Sequence, residues 1–118
     1  MTFWRWFLFA AAGYNLLIGV GAMADPAATT DGRVIGLLVA CFGIIYALVA
    51  GDLARFRPVL WAGVIGKLGV VAIMGPQVAT GALPAFFGPI LVGDALFAIG
   101  FLWLLLVPHK TKSAETHR

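Results

Sequence analysis

Residues 34–51 read VIGLLVACFGIIYALVAG. The stretch carries no charge, and its length approaches the roughly 20 apolar residues a helix needs to cross a hydrocarbon core. Three more stretches have the same character, about Trp6–Ala24, Pro58–Gly75 and about Pro84–Val107. Together the four hold 79 of the chain's 118 residues. Hydrophobic residues make up 62% of the chain and charged ones 11%, with a mean hydropathy of +1.01. A soluble domain usually carries about 25% charged residues. With so few, a soluble fold would expose large apolar patches, a difficulty that a lipid surround removes. In lipid every backbone polar group needs an internal partner, so the stretches are expected as helices. They also lack the alternation of a membrane barrel strand. The sequence therefore predicts an all-α fold, a four-transmembrane-helix bundle over residues 1–108 with a polar cytoplasmic tail over 109–118.

The boundaries have chemical causes. Asp25-Pro26 ends the first helix, because proline cannot continue the hydrogen-bond ladder. Thr30 or Asp31 can cap the second. Asp52 and Arg55 mark its exit, and Arg57-Pro58 starts the third, Pro58 suiting a first helical turn. Gly75-Pro76 is expected to close the third helix. Pro89 lies inside the fourth apolar run, where it either kinks the helix or sets Pro84–Gly88 apart as a short turn. Ala22-Met23-Ala24 has the look of a signal-peptidase site. The apolar stretch before it is long for a signal peptide and contains Tyr14-Asn15, so the first helix is expected to be retained.

Charge sets the expected orientation. Four crossings put Arg5, Arg55, Arg57, Lys110, Lys112 and Arg118 on one side and Arg33 on the other. The positive-inside rule then places both termini in the cytoplasm. Trp4, Trp6, Trp61 and Trp103 fall near that same interface, where indoles prefer to sit. The net charge of +3 belongs to these flanking positions and forms no basic stripe, so nucleic acid is not an expected partner. Cys41 is the only cysteine and allows no intrachain disulfide. Its position midway along the second helix predicts a buried small hydrophobe. His109 and His117 both lie in the tail, so the spans offer no histidine for haem, and no metal site or cofactor is expected.

Small residues mark expected helix seams. Gly36, Ala40, Gly43, Ala47 and Gly51 form one stripe on the second helix. Ala11, Asn15 and Gly19 share a face of the first, and Gly63, Gly66 and Gly69 recur every three residues on the third. Such stripes let backbones approach closely in lipid.

Lys67 and Asp94 are the informative polar residues. Lys67 lies ten residues past Arg57, on the order of 15 Å into the bilayer. Asp94 lies ten residues past Pro84, counted from the opposite side. Each charge alone costs roughly 2.5–3.5 kcal/mol at the centre of an inserting helix, and sequential antiparallel helices would let the two meet. Asn15 reaches a similar depth, and Tyr14 or Tyr46 supplies a hydroxyl. Tyr14 and Asn15 point about 100° apart, so only one of them need face inward. The expected polar or ligand-binding centre is thus Lys67, Asp94, Asn15, Tyr14 and Tyr46. A direct, closely packed Lys67–Asp94 pair would mark a structural staple. Water, lipid or an elongated ligand between the two would mark a binding site.

Tyr14-Asn15-Leu16 with Gly19, Asp25-Pro26, Asp52 with Arg55, Arg57-Pro58, Gly66-Lys67 and Gly93-Asp94 together resemble a group of small bacterial four-helix inner-membrane proteins, broadly DoxX-like. The likeness covers nearly the whole chain through short motifs. It implies an accessory or quinone-proximal role in an inner-membrane complex and supplies no catalytic residue. The group's pattern has Asn before the acid of the last helix, where this chain has Gly93.

Three functions compete on this reading. The first is a non-catalytic accessory subunit or a protein binding a lipophilic, quinone-like molecule, with a membrane-complex partner or a second copy beside it in the bilayer. The second is an intramembrane enzyme acting on a quinone or isoprenoid-like substrate, with Asp94 as general acid or base. The third is a small transporter. Small multidrug transporters carry a glutamate in the first helix, where this chain has Asn15. Dual-topology fluoride channels need a balanced charge bias, against six to one here.

Overall fold

A computed structural model describes residues 2–107. The tail, with His109, Lys110, Lys112, His117 and Arg118, lies outside the described residues. Among those described, every regular element is helical. Four helices are long and apolar enough to cross a membrane, as in a small multi-pass integral membrane protein. The chain divides into two compact units, residues 1–56 and 57–118.

The first unit is a hairpin of α1 (Thr2–Ala24) and α2 (Thr30–Gly51), followed by the one-turn α3 (Leu53–Phe56). Helix α1 begins earlier than the apolar run, because nothing in Thr2–Arg5 breaks a helix. Its exit follows the Asp25-Pro26 signal. Asp25 Oδ1 accepts from Ala27 N at 2.9 Å, and the Asp25 carbonyl accepts from Ala28 N at 3.0 Å and Arg33 Nη2 at 3.3 Å. The cap of α2 is Thr29, not Thr30 or Asp31. Thr29 is extended, at φ −75° and ψ 168°, and its hydroxyl accepts from Gly32 N at 3.0 Å. That arrangement satisfies one of the amides a helix start leaves unpaired. Thr30 and Asp31 already belong to the first turn.

The two long helices of this unit pack with their backbones in contact. A Cβ on Gly19 would lie 2.5 Å from both Ala40 N and Gly36 O. One on Gly36 would lie 2.7 Å from Gly19 O, and one on Gly43 2.9 Å from Ala12 O. Residue numbers rise on one helix as they fall on the other, so the pair is antiparallel. Gly19 of the seam expected on α1 thus meets Gly36 and Ala40 of the seam expected on α2, as the small-residue rule requires in lipid, whereas Gly51 of that α2 stripe is exposed and open.

The second unit opens with a 3-10 turn (Arg57–Val59), then α4 (Leu60–Ala79) and α5 (Phe87–Leu106). Pro58 sits in the 3-10 turn, just ahead of the α-helix it was expected to begin. Gly75-Pro76 does not close α4, which runs on to Ala79. A proline ring clashes with the Cβ of the residue before it when that residue is helical, and Gly75 has none. The helix ends instead at Thr80, with Gly81 following in the left-handed region at φ +84°. Pro89 is the third residue of α5. A missing N–H is harmless there, since the first amides of a helix have no intrahelical partner. Pro84–Phe86 form a separate turn in which Phe87 N and Gly88 N donate to Pro84 O and Ala85 O.

Outward faces of both units are apolar. Leu17 is 78% exposed, Ile65 69% and Leu96 62%. Cys41 is also exposed, which corrects its expected burial. Depth along a span does not fix which side of the helix a residue faces, and Cys41 points away from the glycine seam.

Candidate functional site

Leu60, Gly63, Val64 and Lys67 form the buried strip of α4, at spacings of three, one and three. This periodicity puts them on one helix face. Lys67 thus enters the buried strip because of its register, one turn beyond Gly63. On α5 the buried residues are Leu91, Ala98, Phe101 and Leu104, and Asp94 falls one turn after Leu91 on the same face.

Lys67 Nζ donates to Asp94 Oδ1 at 2.7 Å. The side chains are 6% and 14% exposed. The ammonium also stands 5.6 Å from the centroid of the Phe97 ring. Asp94 and Phe97 are three residues apart on α5, so carboxylate and ring flank the same cation. Phe97 in turn meets Phe101 at 6.5 Å between ring centroids. Sequence reasoning missed Phe97, although its spacing from Asp94 was a usable signal.

A short, direct bond between opposite charges offsets much of the cost of holding either in an apolar surround, and an aromatic face adds to it. The two groups are in direct contact, which is the first half of what a staple requires. Gly66, adjacent to Lys67, differs from Gly63. It is exposed, and a Cβ there would meet nothing within 4 Å. The same is true of the space beside Gly69. The regular glycine spacing on α4 thus divides into a buried Gly63 and two open positions.

The other three residues of the expected centre belong to the first unit. Asn15 is buried, and its Nδ2 donates to Val39 O at 3.1 Å, tying α1 to α2. Tyr46 is buried on α2 near Phe42, with ring centroids 6.2 Å apart. Tyr14 is half-buried on α1. Lys67 and Asp94 are brought together within one hairpin, and Asn15 serves the helix contact of the other.

No protein-family model matches this chain, nor does any curated protein or solved structure.

Proposed function

We propose that this chain is a small bacterial inner-membrane protein, both termini cytoplasmic, that serves as a non-catalytic accessory subunit of a membrane complex. The observation that carries this reading is the closure of Lys67 on Asp94 at 2.7 Å. The two charged groups deepest in the apolar helices are engaged with each other, so neither is presented to a substrate as a free acid or base. On this reading their work is to fix the register of α4 against α5. The resemblance to DoxX-like proteins supports the same role. The test is extraction in a mild detergent followed by native electrophoresis. A co-purifying membrane protein is expected with the natural chain and with the Lys67→Met/Asp94→Leu double variant. A solitary monomer in both would sink the proposal.

A second reading rests on a specific asymmetry. Asp94 keeps more exposure than Lys67, and the space beside Gly66, the residue before Lys67, is open. A quinone-like headgroup could use that opening, its carbonyl accepting from Lys67. Decylubiquinone is the probe. Saturable binding that the double variant loses supports this reading, and binding unchanged by the double variant removes it.

A further inference from the structure

The first hairpin holds two arginines at one end. The contact of Ala12 with Gly43 sets the register. Seven residues back along α1 is Arg5, and seven forward along α2 is Ala50, so Arg5 lies level with the end of α2. Arg55 follows one turn beyond, in α3. Both are exposed. The Arg5 guanidinium sits 5.9 Å from the centroid of the Phe9 ring, and that of Arg55 5.2 Å from Phe56. Among the described residues neither pairs with a carboxylate. Asp52, the acid at this end, turns Oδ1 to the backbone N of Arg55 at 3.3 Å. Phe3 and Trp6 are exposed at the same level, and Trp4 packs edge-on between Phe3 and Phe7. Indoles favour the headgroup layer of a bilayer. Guanidinium forks match phosphate oxygens, and each of these two stands over an aromatic ring of the same segment, which holds it near that level.

We propose that this end of the first hairpin binds the headgroup of an anionic phospholipid through Arg5 and Arg55. Charge complementarity favours the occupant: two guanidiniums without acidic partners stand beside one carboxylate that is engaged with backbone.

The test uses the full chain in detergent, where orientation in a bilayer plays no part, with native mass spectrometry after adding phosphatidylglycerol or phosphatidylcholine. The natural chain should retain phosphatidylglycerol preferentially. Each single exchange, Arg5→Gln or Arg55→Gln, should cut that preference about fivefold, and the double exchange on the order of twentyfold. Arg33→Gln, at the far end of the same hairpin, should leave it unchanged. If the double variant does not fold, the single exchanges decide the matter alone. A preference that survives Arg5→Gln and Arg55→Gln, or that falls equally with Arg33→Gln, overturns the site. Replacing chloride by inorganic phosphate at constant ionic strength should not displace the lipid. Displacement would show a site for free anions and would overturn the assignment to lipid.

Discussion

Gly19 and Gly66 are the same residue in helices of similar composition, and their surroundings are opposite. At Gly19 a methyl group would meet backbone atoms at 2.5 Å, which cannot move without separating α1 from α2. At Gly66 it would meet open space. Gly19→Ala should therefore destabilise the protein in detergent by at least the 1–3 kcal/mol or so of ordinary overpacking. Gly66→Ala should be neutral or slightly stabilising, since alanine is the better helix former by about 1 kcal/mol. Thermal unfolding followed by circular dichroism reads both, and a Gly19→Ala variant as stable as the natural chain would contradict the close approach. The Lys67–Asp94 pair belongs to the same scale. Lys67→Met leaves the Asp94 carboxylate without its cation and should cost about 3–5 kcal/mol, as should Asp94→Leu. The double exchange should recover most of that loss. Additive losses in the double variant would mean that the two residues do not act as a unit.

At the scale of elements, the helix ends follow capping chemistry more closely than hydropathy. Thr29 caps α2 because its hydroxyl reaches the Gly32 amide, and Thr29→Ala should lower stability by about 1 kcal/mol. Pro76 gives the opposite case. It sits inside α4 and offers no N–H to the carbonyl of Ala72. Pro76→Ala restores that bond and should raise the unfolding temperature. A lower one would show that the proline is required for the course of the helix. Both positions were misread from sequence for one reason. A threonine beside another threonine, or a proline after a glycine, leaves more than one helix boundary open, and only the backbone geometry selects among them.

At the scale of the molecule, the expectation that can be tested is orientation. Six cationic residues on one side against Arg33 on the other predict cytoplasmic termini. In a Cys41→Ser background, a cysteine placed by Ala27→Cys should react with a membrane-impermeant maleimide added outside intact spheroplasts. One placed by Ala54→Cys should react only after lysis. The reverse pattern would invert the topology. Both positions are exposed, so accessibility depends on the side of the membrane alone.

Hydropathy alone settled the number and type of the long helices, because about 20 predominantly apolar residues in lipid have few other ways to satisfy their backbone. That Lys67 and Asp94 come level on α4 and α5 was equally readable, being a matter of counting at 1.5 Å per residue. Tertiary structure decided which face each residue took. It set Cys41 outward, put Gly63 in the buried strip while leaving Gly66 open, and brought Phe97 to the Lys67 ammonium. Facing depends on how one helix is rotated against its neighbour. That rotation is fixed by contacts such as Gly19 on Ala40, which no single helix encodes by itself.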